Sequence, residues 1–194
     1  MRRVSMNKIE ITSETIFYPM PCSIVGAVVN GKPNYLAVAW FSMVNFRPPC
    51  IGISLSKVHY TNPGIKENGH FSINIPSADM VDVTDYCGIV SGKKYDKASR
   101  FETFHGRSGE APMIKECPYN IECRLVQVLD LPSNEFFVGE IIAVYSDDRY
   151  LTDGIPDMKK INPLILSMPE SSYLTAGDHI AEAWGTGKKL IKTV

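Results

Sequence analysis

The segment Ser54-Leu55-Ser56-Lys57-Val58-His59-Tyr60-Thr61-Asn62-Pro63 concentrates the polar chemistry of this chain. It leaves an apolar run and enters a helix start, with Asn62 as N-cap and Pro63 at the first helical position. If the segment stays extended, Lys57, His59 and Thr61 project to one side, because strand side chains alternate with period two. Just beyond them the helix start presents unpaired N–H groups with partial positive charge. A cation, an imidazole and a hydroxyl converging on such an end suit a phosphate. A loop with solvated Lys57 and His59 and a capping Thr61 or Asn62 fits the same spacing.

A second cluster precedes it. Asn34 opens an apolar run and Trp40-Phe41-Ser42 lies towards its far end, so an amide, a large ring and a hydroxyl come from one stretch. Core packing of Trp40 accounts for the ring alone. A flavin site needs the whole mixture: apolar walls for the ring, hydroxyl or backbone donors at its polar edge, and a cationic pocket for its phosphate. Other chemistries lack their residues. Gly185-Thr186-Gly187-Lys188-Lys189 has Glu182 where a phosphate loop needs its first glycine, and Lys189 where it needs Ser or Thr. No G-x-G-x-x-G follows a strand, neither H-E-x-x-H nor G-x-S-x-G occurs, and His59, His70, His105 and His179 are dispersed.

The elements that must position these residues read mostly as strands. Residues 22–44 predict a hairpin, with Cys22 to Val29 and Tyr35 to Val44 as arms about the type I′ turn signal Asn30-Gly31. Pro48-Pro49 ends that unit. Further strands are predicted at Cys50 to Leu55, His70 to Ile75, Ile121 to Leu129, Phe136 to Tyr145 and Leu164 to Met168. Helices are few: one from Pro63 of about a turn and a half, closed by Gly69, and one from Ser77 through Tyr86, closed by Gly88. In the second, Asp79, Asp82 and Asp85 fall near one face, which reads as a solvated stripe because no His accompanies it. Residues Glu102 to Pro118 are expected to form a mobile loop.

The chain has 194 residues, 44% hydrophobic and 21% charged, with 20 Lys+Arg against 21 Asp+Glu. That composition predicts one domain over residues 1–194, with residues 1–9 a tail, and excludes disordered, collagen-like and disulfide-scaffold classes. The balanced charge disfavours nucleic acid as a partner. The longest nearly uncharged apolar stretch, Leu36 to Phe46, is about half the roughly 20 residues a membrane helix needs, so no membrane association is expected. Polar residues from Asn7 to Glu14 replace the apolar core of a signal peptide, and Met6 is an alternative start. The cysteines Cys22, Cys50, Cys87, Cys117 and Cys123 are odd in number with no C-x-x-C pair, which fits reduced thiols in a cytoplasmic protein.

The order of features resembles the flavin reductase-like family, and within it the flavoredoxin-like FMN-binding split-barrel proteins. The resemblance is carried by Pro19-x-Pro21, Asn30-Gly31-x-x-Asn34, Ala39-Trp40-x-Ser42, Pro48-Pro49, Lys57-x-His59-x-Thr61-Asn62, Phe71-x-Ile73-Asn74-Ile75-Pro76, Asp85-Tyr86-Cys87-Gly88 and Ser91-Gly92-x-x-x-Asp96-Lys97. It spans roughly residues 10 to 190 and implies a mainly β fold, a six-stranded antiparallel split barrel with small helices, usually a homodimer holding FMN near the subunit interface. By the same resemblance, Lys57, His59 and Thr61 hold the FMN phosphate and ribityl chain, Asn34, Trp40 and Ser42 line the flavin, and Lys97 reaches the phosphate side. Asn74 and Cys87 fall in family motifs, a strand-end hydrogen bond being the plainer role for Asn74. Tyr173 and His179, in the family's closing segment, are candidates for stacking and polar contact from the same or the partner subunit. The implied activity is an oxidoreductase in which FMN supplies the redox chemistry. It takes hydride from NADH or NADPH and passes electrons to flavin or ferric iron, or else exchanges electrons with a ferredoxin-like partner without a pyridine nucleotide site.

Overall fold

In a computed structural model, residues 8–10, 19–168 and 170–191 are described. Most of the tail expected at residues 1–9 lies outside them. In chain order the elements are β1 (Met20–Pro21), β2 (Ser23–Val29), β3 (Lys32–Val38), β4 (Phe41–Asn45), β5 (Cys50–Ser56), α1 (Thr61–Asn68) and β6 (His70–Ile75). There follow α2 (Val81–Ile89), β7 (Thr103–His105), β8 (Pro112–Ile114), β9 (Tyr119–Asp130), β10 (Asn134–Ser146), β11 (Leu151–Thr152), β12 (Ile155–Pro156), α3 (Met158–Ile161), β13 (Leu164–Ser167) and β14 (Ser172–Thr175).

The main sheet has seven strands in the order β3-β2-β6-β9-β10-β5-β4, and all its pairings are antiparallel. β3 and β4 are its two edges, yet only Ala39 and Trp40 separate them in the chain. Three Cα steps of about 3.8 Å cannot exceed about 11 Å, so the sheet must roll until its edges meet at that end. The result is a barrel whose seam is joined covalently but not by a ladder: a split barrel, with one strand more than the six expected. The extra strand arises because the run Tyr35 to Val44 is not one arm. It breaks at Ala39-Trp40, and the chain then joins the opposite edge, where the Trp40 carbonyl accepts from Ser54 N–H at 2.9 Å and continues the β4–β5 ladder.

The hairpin turn forms as expected, with positive φ at Asn30 (50°) and Gly31 (74°), as a type I′ turn needs. β2 is buried on both faces. Val25 and Ala27 face the barrel interior with Leu36, Ile53, Phe71 and Phe137. Ile24 faces outward into a second cluster with Tyr35, Cys87, Ile114 and Cys117 beneath α2 and β8. β8 lies so close that a Cβ at Gly26 would sit 2.3 Å from the Pro112 carbonyl oxygen. The stretch expected to be a mobile loop is therefore packed: it carries the β7–β8 hairpin, and Ala111, Met113 and Ile114 are fully buried.

Both helices differ from expectation in detail. α1 begins at Thr61 with Tyr60 at its N-cap and no side-chain cap. Asn62 instead donates to the Ser56 carbonyl at 3.0 Å and to Glu135 Oε2 at 2.9 Å. Gly69 closes the helix in the left-handed region (φ 65°), as expected. The second helical segment starts as a 3₁₀ turn at Ala78–Met80 and runs through Gly88, with Val90 N–H closing on the Tyr86 carbonyl. Among the described residues no group of three His, Cys, Asp or Glu side chains suited to a metal occurs. All five cysteines are buried and free. Among the described residues no helix is long and apolar enough to cross a membrane.

Candidate functional site

β3, α1 and the loop after α2 meet at one end of the barrel. Asn34 of β3 donates to Thr61 Oγ1 at 2.8 Å, and both side chains are buried. From the loop, Lys97 inserts its ammonium group, 3% exposed, and donates to the carbonyls of Cys87 (3.0 Å) and Val90 (3.2 Å). Burial holds this ammonium below the usual lysine range, and no carboxylate is among the groups that shift it. His59 lies beside it. Burial, then the Lys97 charge, hold its imidazole below the usual histidine range, and its buried Nδ1 has no hydrogen-bond partner.

His59, Thr61 and Lys97 line a cavity of about 210 Å³ together with Leu36, Val90 and Gly92. Gly92 is required there because a Cβ would fall 2.1 Å from Asn34 Oδ1 and 2.8 Å from the Tyr60 ring. A hidden cation beside an imidazole with an unused ring nitrogen fits an anionic ligand group, since a phosphate would compensate both. From His59 the depression continues along the barrel seam as a second cavity of about 330 Å³, lined by Val38, Trp40, Ser54, Ser56, Leu166 and Met168 among others. A third, of about 430 Å³, shares Ala39, Trp40 and Ser54 with it and adds Ser42 and Phe136. One groove thus runs from a cationic end to an apolar, hydroxyl-bearing end with a half-exposed tryptophan ring, the shape a flavin mononucleotide would need.

The expected site residues divide accordingly. Asn34, His59, Thr61 and Lys97 come together at the cationic end, and Trp40 and Ser42 at the ring end. Lys57 does not join them: its ammonium pairs with Asp130 Oδ1 at 2.5 Å. The alternation argument fails because the chain turns after Ser56, with His59 N–H returning to the Ser56 carbonyl at 3.0 Å, so period-two geometry no longer applies. Asn74 also stands apart. Its side chain donates to the Ile24 carbonyl (2.8 Å) and Ser72 Oγ (3.0 Å), and its Oδ1 accepts from Ile114 N–H (3.0 Å) and Asn120 (2.8 Å). Fully satisfied between β2, β6, β8 and β9, it has the structural role and no bond left for a cofactor.

Cys87 offers the site only its carbonyl. The thiol is fully buried, and burial pushes its pKa up to about 11. Tyr173 is engaged with α2, donating to Asp85 Oδ1 at 2.8 Å. His179 is exposed and lies 3.3 Å from Glu182; neither it nor Tyr173 lines the groove. The residues that sequence reasoning missed are Tyr60, Ser54, Ser56, Leu166 and Met168. The Ser-x-Ser alternation entering the loop was a readable signal for the two serines. Leu166 and Met168 had none, because they arrive from a strand more than a hundred residues away.

Residues 15–165 match the flavin reductase like domain. The chain belongs to this family. Among solved structures, this flavin reductase-like chain is similar to flavoredoxin from Methanosarcina acetivorans, at 53% identity over 96% of this chain and 100% of that one, with a TM-score of 0.93. It is also similar to flavoredoxin of Desulfovibrio vulgaris (Miyazaki F), at 34% identity over 93% of this chain and 100% of that one, with a TM-score of 0.88. An uncharacterised protein of Archaeoglobus fulgidus is 31% identical over 73% of this chain and 80% of its own length.

Proposed function

We propose that this chain is an FMN-bearing redox protein of the flavoredoxin type, exchanging electrons at the ring end of the groove. The observation that carries the reading is the convergence of buried Lys97, the unpartnered His59 Nδ1, Thr61 and Asn34 at one end of a groove whose other end is Trp40 and Ser42. FMN is the cofactor that membership of the family and the likeness to flavoredoxins support. His59, Thr61 and Lys97 would hold its phosphate, while Trp40, Ser54 and Ser56 would border its ring. When bound, the flavin supplies hydride or single-electron transfer. The protein's share is to bind and orient it and to shield one face, and no side chain of the groove forms an acid–base pair.

Two donors fit this site. Direct reduction by NADH or NADPH would make the chain a flavin or ferric reductase; reduction by a ferredoxin-like protein would make it an electron carrier. The likeness to two flavoredoxins at 34% identity or more favours the carrier. The chain is expected to purify yellow, with flavin absorbance that bleaches on anaerobic mixing with reduced ferredoxin and not with NADH or NADPH. Bleaching by either pyridine nucleotide within the mixing time would assign it instead to the reductases, and a colourless protein that takes up no FMN would end the flavin reading. We also infer that two copies pair through the apolar face beside the seam, where Met43, Val44 and Phe46 stand exposed.

A further inference from the structure

Ser54 stands where two cavities of the groove join: it lines the seam cavity with His59 and the ring-end cavity with Ser42. Its hydroxyl is held in one sense. Asn134 opens β10 opposite Ser56 in the β5–β10 ladder, and its Nδ2 donates to Ser54 Oγ at 3.1 Å. The amide is itself oriented, because Ser133 Oγ donates to its Oδ1 at 2.9 Å. A serine hydroxyl has one proton and two lone pairs. With Asn134 donating to a lone pair, the Ser54 proton must find its acceptor elsewhere, and no described residue takes it. The relay from Ser133 through Asn134 to Ser54 thus runs in one direction and ends at the groove.

The hydroxyl and amide side chains of the seam cavity are Ser54, Ser56 and Asn134, set among apolar residues such as Val38, Leu166 and Met168. The polar edge of a flavin is its pyrimidine, which therefore belongs on the side of these three. We propose that Asn134 is a positioning residue: it fixes the Ser54 hydroxyl as a donor to a pyrimidine carbonyl oxygen of the bound flavin and so raises the flavin's reduction potential. The proposal rests on the flavin reading above. Reduction adds negative charge to the pyrimidine carbonyls, so a fixed donor there holds the reduced flavin more tightly than the oxidised one. The relay behind Ser54 strengthens that donor by polarising it. At N5 the sign would be opposite, because N5 accepts a hydrogen bond when oxidised and carries a proton when reduced.

The test is a double-mutant cycle on the FMN-loaded full chain, read as the two-electron midpoint potential in anaerobic dye titrations. With the affinity for oxidised FMN from fluorescence, each potential gives the ratio of affinities for reduced and oxidised flavin. Ser54→Ala in the wild type should lower that ratio about fivefold, a fall of about 20 mV at about 30 mV per tenfold. In an Asn134→Asp background the carboxylate accepts the Ser54 proton and turns the hydroxyl away from the ring. Ser54→Ala should then change the ratio less than 1.5-fold, the new charge being common to both members of that comparison. An equal fall in the two backgrounds would overturn the proposal, as would no fall in the wild type. A ratio raised by Ser54→Ala would place the hydroxyl on N5 and overturn it too. If Asn134→Asp no longer binds FMN, the cycle through Asn134→Ala decides: Ser54→Ala should there lower the ratio less than twofold, and an undiminished fivefold fall overturns the proposal. Failure of the wild type to bind FMN is a separate result, visible before any variant is made, and would remove the flavin reading itself.

Discussion

A buried ammonium and a half-buried imidazole stand together at the cationic end of the groove, each held below its ordinary range by burial, with the Lys97 charge adding to the shift at His59. Two such groups, neither of them in an ion pair with a described residue, cost free energy that an anion would recover. The sign of the pH effect follows. His59 is neutral near pH 7 in the protein alone, a phosphate beside it raises its pKa, and binding then takes up a proton, so FMN affinity should rise as pH falls from 8 to 6. The second ionisation of a phosphate monoester, at about 6, pulls the other way, so the informative comparison is with His59→Gln, which should lose the rise. Fluorescence titrations at the two pH values measure it, and an unchanged slope in His59→Gln would remove the imidazole from the phosphate site. In the same titrations Lys57→Ala should change affinity less than threefold, because that ammonium is already spent on Asp130 in an exposed pair of small worth.

At the scale of elements, a carboxylate with no exposed surface pins the turn between β7 and β8, alongside the buried apolar residues of β8. Glu122, midway along β9, accepts from Arg107 N–H (2.8 Å), Ser108 N–H (2.8 Å), Ser108 Oγ (2.5 Å) and the Tyr145 hydroxyl (3.0 Å). Burial alone would raise its pKa, but these four donors outweigh burial and hold it below the usual carboxylate range. A depressed carboxylate pKa contributes stability that is present above the unfolded-state pKa and lost as pH falls through the folded one. The Arg107–Ser108 turn should therefore loosen only in acid. Glu122→Gln places an NH₂ among donors and is expected to cost about 2 kcal/mol. Urea unfolding measures that cost, and faster amide exchange at Arg107 and Ser108 localises it. A variant as stable as the wild type would mean that the β7–β8 hairpin is held by its apolar residues alone. Nothing in the local pattern marks this pin, since Glu122 alternates with apolar neighbours like any outward-facing strand residue.

For the whole molecule, the proposed pairing face is the open side of the barrel. Phe46 is 80% exposed and Met43 55%, at the rim of an apolar cavity of about 440 Å³ lined by Phe41, Met43, Ile51, Ile141, Val144 and Met158 among others. Apolar surface of this extent is costly to leave in water and marks an association site. Light scattering is expected to give a dimer for the wild type and a monomer for Met43→Glu/Phe46→Glu, with FMN retention reduced because the ring end adjoins this face. A variant that remains dimeric would move the interface elsewhere.

Much of this protein was legible along the chain because it depends on local pattern: the strands from period-two alternation and turn residues, the Asn30-Gly31 turn from its need for positive φ, and His59 and Thr61 as phosphate candidates from their spacing, whereas Lys97 entered only through the family resemblance. Those features are set by the residues themselves and their immediate neighbours. Tertiary structure decided what depends on distant segments meeting. It sent Lys57 to Asp130 instead of the phosphate end, satisfied every hydrogen bond of Asn74 inside the barrel, and brought Leu166 and Met168 to the groove. Trp40 shows the boundary between the two. Its large ring made it a candidate flavin neighbour, but only the need for seven strands to close on themselves, with two residues joining the opposite edges, made it the hinge of the seam.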